Sequence, residues 1–155
     1  MGRMTSATAA GKVAPAGAAA FEQLKALVGE WRGRRPDGGE IGVTYRLSAC
    51  DTVLVETWNL GPGRESLTVY HIDGTDLMAT HFCPQGNQPR LRMARAAGSR
   101  LDFTFCDATG VRPGQAVQRH FWIESGPDGT ITRSETYFRG DEAESETITY
   151  ERVAR

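Results

Sequence analysis

The chain has 155 residues, of which 39% are hydrophobic and 24% charged, and its formal net charge is -1 at pH 7. This length is typical of one domain, and the near-neutral charge gives no global field that would attract nucleic acid or an anionic membrane. No apolar run approaches the roughly 18 residues of a spanning helix, so we expect neither a nucleic-acid nor a membrane partner.

The first 20 residues are rich in alanine and contain no continuous apolar stretch of the kind that a signal peptide needs. This composition predicts a disordered leader over residues 1–20, a single domain over residues 21–155 and a cytoplasmic location. The three cysteines, Cys50, Cys83 and Cys106, match no metal or redox spacing, which agrees with a reducing compartment.

A short helix is predicted at the start of the domain. Apolar residues recur at helical spacing between Phe21 and Val28, and Gly29 follows them. We expect a helix over residues 21–28 that closes one end of the fold, with Trp31 packed beneath it.

After Gly29 the apolar pattern changes to the period of two that is typical of strands. Turn signals containing Gly, Asp or Pro separate ten such segments. The predicted strands cover residues 30–34, 41–49, 52–60, 66–73, 76–82, 90–96, 100–107, 116–124, 130–139 and 144–153.

These strands predict an all-β fold. Their connections are too short for crossover helices, so the sheet is antiparallel, and closing it on itself hides both edges. We therefore expect a closed up-and-down β-barrel of about ten strands, wide enough for a cavity, with a two-layer sandwich as the alternative. The two longest connections, 83–89 and 108–115, should lie at the same end of the barrel and flank one mouth.

Several motifs resemble a bacterial family of small lipocalin-like domains. They are Leu27-Val28-Gly29-Glu30-Trp31-Arg32-Gly33, Val69-Tyr70-His71, and Thr80-His81-Phe82-Cys83 leading to Gly86-Asn87-Gln88-Pro89-Arg90. The resemblance implies a calycin-type barrel, related to fatty-acid-binding proteins and nitrobindin-like haem barrels. It implies no activity, because that family has no assigned function.

The related barrels suggest two kinds of ligand. Nitrobindin-like barrels hold haem through a histidine near the carboxyl end, but residues 144–153 contain none and the last histidine is His120, so we expect no haem and no other cofactor. Fatty-acid binders hold a carboxylate with interior arginine and tyrosine. The candidates by residue type are Arg90, Arg92, Tyr45, Tyr70 and Tyr150.

The register of one hairpin decides where His71 points. Pairing Ile72 with Leu77 places His71 opposite Met78, whereas pairing His71 with Leu77 places His71 on the same apolar-weighted face as His81. The second register is the one that gathers the apolar residues, and we interpret that face as the interior.

The candidate catalytic residues are His81, His71 and Glu56, because a neutral imidazole beside a carboxylate can act as a general base. Glu56 and Glu135 form an alternative pair of mid-strand acids. The candidate ligand-binding residues lie on the predicted strands and on the 83–89 connection: His71, His81, Asn87, Arg90, Arg92, Tyr70, Trp58, His120 and Trp122. No spacing predicts a metal site, and hydrogen-bonded structural histidines are the alternative interpretation.

Three functions remain open at this point. The first is binding of a small hydrophobic or amphipathic ligand inside the barrel. The second is a barrel enzyme, of isomerase, cyclase or hydrolase type, that uses a cavity histidine as acid or base. The third is an interaction module that forms a homodimer through an exposed strand face.

Overall fold

A computed structural model describes residues 16–154 as one helix followed by a closed ten-stranded antiparallel barrel. The helix is α1 (Ala16–Lys25), and the strands are β1 (Gly29–Arg34), β2 (Glu40–Ser48), β3 (Val53–Asn59), β4 (Glu65–Asp73), β5 (Asp76–Phe82), β6 (Gln88–Ala97), β7 (Arg100–Thr109), β8 (Val117–Ser125), β9 (Ile131–Arg139) and β10 (Glu142–Arg152).

The barrel closes where the first strand meets the last. Each strand pairs with its neighbours in sequence, and β1 pairs with β10 through Trp31 opposite Arg152 and Gly33 opposite Tyr150. The prediction of a closed up-and-down barrel is therefore confirmed. All ten predicted strands are present, with ends that lie within two residues of the expected positions.

The helix differs from the prediction. It covers Ala16–Lys25 rather than residues 21–28, so the predicted disordered leader is wrong for residues 16–20, while residues 1–15 lie outside the described part. The physical reason is that alanine has the highest helix propensity and that Ala20 is buried beside Phe21 and Leu24.

The helix closes one end of the barrel, which we call the helix end. It contacts β4, β5 and β6, and Gly17 lies so close to the Thr75 carbonyl that a Cβ there would be 2.3 Å from the oxygen. The Trp31 indole N–H donates to the Leu27 carbonyl at 2.8 Å, as expected for a ring that closes the barrel beneath the helix. Within residues 16–154 no helix has the length and apolarity to cross a membrane.

The opposite end, which we call the loop end, holds the two long connections. The predicted shared rim is confirmed, because the loops are joined by side-chain hydrogen bonds. Gln115 Nε2 donates to the Gln85 carbonyl at 2.7 Å, Gln85 Nε2 donates to the Ala116 carbonyl at 3.1 Å, and Asn87 Nδ2 donates to the same carbonyl at 3.2 Å.

The interior is apolar near the helix end and polar toward the loop end. Phe103 and Phe121 stack with ring centroids 4.5 Å apart, and the Tyr70 ring packs edge-on against both. Leucines and isoleucines on the inner strand faces complete this core, namely Leu54, Leu77, Leu91, Leu101, Ile123 and Ile131. Polar side chains begin immediately above this layer.

Candidate functional site

Four polar side chains lie side by side on the inner face of four adjacent strands. Tyr45 is opposite Glu56, Glu56 is opposite Thr68, and Thr68 is opposite His81. All four are at most 3% exposed. Because directly opposite residues in antiparallel strands lie about 5 Å apart, this row forms a continuous polar strip inside the barrel wall.

Arg133 reaches this strip from the other side of the barrel. It lies on β9, which β10, β1 and β2 separate from β3 in the closed sheet. Its Nη1 nevertheless donates to Glu56 Oε2 at 2.6 Å, and both side chains are fully enclosed. The ion pair between Arg133 and Glu56 therefore crosses the interior.

The Glu56 carboxylate is fully hydrogen-bonded by donors. Its Oε1 accepts from the Trp58 indole N–H at 2.7 Å. Its Oε2 accepts from the Tyr70 hydroxyl at 2.7 Å and from Arg133. Both oxygens act as acceptors, which is the pattern of an ionised carboxylate.

The Arg133 guanidinium lies between two carboxylates and two aromatic rings. Its Nε donates to Glu135 Oε1 at 2.9 Å, and its Cζ lies 4.3 Å from the Phe121 ring centroid and 5.0 Å from that of Trp58. Burial is the largest single influence and favours loss of the proton, but Glu56, Tyr70, Glu135 and Tyr45 together outweigh it and hold the pKa of Arg133 well above its ordinary value.

Four buried polar atoms in the described chain have no hydrogen-bond partner. They are Arg133 Nη2, the Tyr45 hydroxyl, Gln118 Oε1 and Asn87 Oδ1. The orientation of the Asn87 amide is fixed, because its Nδ2 donates to two oxygens, Gln115 Oε1 at 3.2 Å and the Ala116 carbonyl. Leaving a buried group unpaired costs roughly 1–3 kcal/mol, so such atoms are rare in folded proteins.

The two tyrosines beside Glu56 stay protonated at neutral pH. Burial, and next the charge of Glu56, raise the pKa of Tyr45 well above its ordinary value. Burial raises the pKa of Tyr70 in the same way, against the opposing charge of Arg133. Each hydroxyl is therefore a hydrogen-bond donor. That of Tyr70 donates to Glu56, whereas that of Tyr45 lies near the same carboxylate without the geometry of a hydrogen bond.

His81 lies on the inner face, as its strand pattern predicts. Its Nδ1 is 3.1 Å from the Thr68 hydroxyl and its Nε2 is 3.3 Å from the Tyr137 hydroxyl. Burial, reinforced by the charge of Arg133, lowers the pKa of His81 to about 4. The imidazole is therefore neutral at neutral pH.

The inner faces of β9 and β10 become exposed toward the loop end. Ile131 and the facing Tyr150 are buried, and so are Arg133 and the facing Ile148. The next pair toward the loop end is Glu135 and Glu146, where the Glu135 side chain is 26% exposed and Glu146 is exposed. Glu135 is therefore the partly exposed inner residue of β9 that follows the buried Arg133.

The expectation that His71 projects into the interior is wrong. The hairpin pairs Ile72 with Leu77, so His71 lies opposite Met78 on the outer face. The inner residues of β4 are Ser66, Thr68 and Tyr70 instead, which a count of apolar residues cannot reveal because this inner face is polar.

Four further candidates also lie on the outside of the barrel. Arg90 pairs with Asp107 and Arg92 lies 3.8 Å from Asp76, all four of them exposed. The outer residues of β8 include His120 and Trp122, each opposite an outward residue of β7, Thr104 and Asp102. The predicted placement of these four in the cavity is wrong, because each alternates with an inward neighbour such as Leu91 or Phe121.

The remaining candidates lie inside. Glu56 belongs to the ion pair, and Tyr70 and Trp58 donate to it. His81 lies in the same polar strip, and Asn87 is buried at the loop end. Arg133 is the central residue that sequence reasoning missed. The signal was present: Ile148 and Tyr150 alternate with polar residues at the end of the chain, and the Gly140-Asp141 turn sets Ile148 opposite Arg133.

Two grooves on the barrel do not include the ion pair, although Tyr45 lines the second of them. A groove of about 830 Å³ runs over the outer faces of β1, β2 and β3 beside the 61–65 turn, with Arg32, Thr44 and Asn59 in its lining. Another of about 640 Å³ lies near Val28 and Arg152. Glu56, Arg133 and His81 line neither of them.

Comparison with known proteins gives no assignment. No protein-family model matches the chain, and no curated protein is significantly similar to it. Among residues 16–154, no group of three or more His, Cys, Asp or Glu side chains is arranged to hold a metal ion. The function must therefore be argued from the interior itself.

Proposed function

We propose that the barrel binds a small molecule in its polar half, with a hydrogen-bonding group of that molecule held by Arg133 and Tyr45. The observation that carries this proposal is the pair of buried donors without acceptors, Arg133 Nη2 and the Tyr45 hydroxyl, which belong to two neighbours of Glu56. An oxygen acceptor within hydrogen-bond reach of both would satisfy them.

The energetic cost of the buried ion pair and of the unpaired donors supports this proposal. A buried ion pair seldom adds net stability, and each unpaired buried donor costs roughly 1–3 kcal/mol. Apolar side chains at positions 45, 56 and 133 together would pack this interior without either cost. Polar groups that break the packing rules in this way are typical of functional sites.

The packing of the other half favours a small guest. Phe103, Leu77 and Leu91 are fully buried and occupy the interior on the side of α1. The free hydrogen-bonding atoms all belong to the remaining part, where the rings of Trp58 and Phe121 lie beside Arg133. We therefore favour a compact molecule with one polar oxygen and a short apolar part over a long-chain lipid.

Native mass spectrometry of gently purified protein tests the proposal. We expect a small molecule bound one to one that dissociates on denaturation. Tyr45→Phe removes an unpaired hydroxyl, so it should lower the bound fraction about tenfold, equivalent to about 1.4 kcal/mol, without loss of thermal stability. Tyr150→Phe is the matched control, because Tyr150 is also buried on the inner face and packs edge-on against Trp58.

Two results would contradict the proposal. One is equal occupancy in the wild type, Tyr45→Phe and Tyr150→Phe. The other is a wild-type protein that carries no small molecule and takes up none from a cell extract of metabolites.

An acid–base enzyme is the second candidate, and His81 is the observation that favours it. Its imidazole is neutral, lies in the same strip as Glu56 and contacts the Tyr137 hydroxyl. If His81 is a base, His81→Asn should abolish turnover of the guest while leaving its affinity nearly unchanged. Equal loss of affinity and turnover would instead indicate a binding role.

A further inference from the structure

The exposed part of the inner face of β9 and β10, toward the loop end, is acidic. By register, Glu146 lies opposite Glu135 and Glu144 lies opposite Tyr137, so these carboxylates share the inner face of β9 and β10. We call Glu135, Glu144 and Glu146 the acidic mouth. Beneath it lies Glu56, and the one cation among these groups is Arg133.

This arrangement leaves negative charge without a partner. Arg133 is shared between Glu56 and Glu135. Within residues 16–154, neither Glu144 nor Glu146 forms an ion pair, although Glu146 faces the like charge of Glu135. Like charges directly opposite each other in a sheet are destabilising, so an external cation would relieve the mouth.

Among the described residues, three other arginines near the loop end form no ion pair with the acidic mouth. Arg112 Nη2 donates to the Gln85 carbonyl at 3.0 Å, and the Arg139 guanidinium donates to the Gly114 carbonyl. The Arg119 guanidinium lies over aromatic rings, 4.9 Å from the nearer centroid. His81 adds no charge, because its pKa is lowered to about 4.

A second observation at the same end points to a ligand with donors. Asn87 is completely buried, and its Oδ1 has no hydrogen-bond donor. Gln118 is also completely buried, with one end of its amide unpaired, and lies opposite Tyr137 on the inner face. A fixed buried acceptor without a donor requires N–H or O–H groups from outside the protein.

We infer that the guest is an organic cation, a primary amine whose ammonium group lies in the acidic mouth and whose carbonyl or hydroxyl oxygen accepts from Arg133 and Tyr45. This inference rests on the proposed function and adds the charge of the ligand to it. It also excludes a fatty-acid anion, which the carboxylates of the mouth would repel. Since Glu135 follows Arg133 by two residues on one strand, the two ends of the guest are separated by about 7 Å along the wall.

A matched series of amides tests the charge directly. At each of several chain lengths, one compound ends in a primary ammonium, one in a methyl group and one in a carboxylate, and all share the same terminal amide. Isothermal titration calorimetry at neutral pH measures the affinity for the full-length protein. We expect the ammonium compound to bind at least about tenfold more tightly than the neutral amide, and the carboxylate to bind most weakly.

The acidic mouth supplies its own variants. Glu146→Gln should remove most of the preference for the ammonium compound and leave affinity for the neutral amide unchanged. Glu151→Gln is the control, because Glu151 lies on the same strand but on the outer face, opposite Arg32. It should change neither affinity.

The outcomes separate the two proposals. Equal affinities within the series, a preference for the carboxylate, or the same effect from Glu146→Gln and Glu151→Gln would overturn the cation and leave the proposed function in place. Failure of all three compounds at every length would contradict both.

Discussion

Removing the Glu56 charge is the most informative single perturbation of this interior. In Glu56→Gln the side chain keeps its size, but it has only one oxygen for three donors. Tyr70 can rotate its hydroxyl to become an acceptor, whereas Trp58 and Arg133 cannot. One of these two donors must therefore face the new NH₂ group.

The expected loss of stability is large. Breaking a buried ion pair costs about 3–5 kcal/mol, and we expect the lower end of this range because Arg133 keeps Glu135 as a partner. With a urea dependence of about 2 kcal/mol per molar, a loss of about 3 kcal/mol lowers the unfolding midpoint by about 1.5 M. Glu135→Gln should lose under about 1 kcal/mol, because the Glu135 side chain is 26% exposed.

The double variant Glu56→Leu with Arg133→Met distinguishes the cost of an unpaired buried charge from the cost of changed packing. Replacing both partners of a buried pair by apolar residues is often neutral, so the double variant should recover most of the loss. Equal destabilisation by Glu56→Gln and Glu135→Gln, or a double variant less stable than either single one, would refute the account of a trans-barrel ion pair.

Four further predictions concern other parts of the molecule. Since the pKa of His81 is about 4 in the folded chain and about 6.5 unfolded, only the unfolded chain gains a proton as the pH falls between these values. Stability should therefore drop by about 3 kcal/mol over this window relative to His81→Gln, and parallel urea midpoints for the two proteins would contradict it. Trp31→Phe loses the hydrogen bond beneath α1, so it should cost about 1–3 kcal/mol and speed proteolysis of the helix; unchanged cleavage argues against this anchor. Asn87→Asp loses the two hydrogen bonds that the side-chain amide donates to Gln115 and Ala116, so amide hydrogen exchange should become faster in the connections 83–87 and 110–116; exchange rates equal to those of the wild type would contradict this. Arg90→Ala should leave both the stability and the guest affinity nearly unchanged, because Arg90 is exposed; a loss of affinity would show that Arg90 belongs to the site after all.

The barrel could be predicted from the sequence because several separate sequence patterns indicate the same fold. Alternating polarity, Gly-containing turns such as Asp73-Gly74, and short connections all indicate the same closed sheet. Gly74 adopts φ 62°, a conformation that the hairpin turn requires and that glycine provides without strain. The start of α1 was missed because the alanines of residues 16–20 carry no apolar periodicity that marks a buried face.

The site was harder to predict for a physical reason. Apolar residues mark an inner face only where the interior is apolar, and on β4 and β9 the inner face carries Thr68, Tyr70, Arg133 and Glu135. His71 was therefore placed on the wrong side. The ion pair itself joins residues 77 positions apart across the barrel, a contact that strand patterns do not encode.

Experimental electron density around Arg133 tests the central claim most directly. A high-resolution structure of protein purified without chromatography in organic solvent should show a small molecule with an oxygen about 2.7–3.2 Å from Arg133 Nη2 and from the Tyr45 hydroxyl. A single ordered water at this position, or a direct hydrogen bond from Tyr45 to Glu56 with no further density, would contradict the claim that this interior is built to hold a guest.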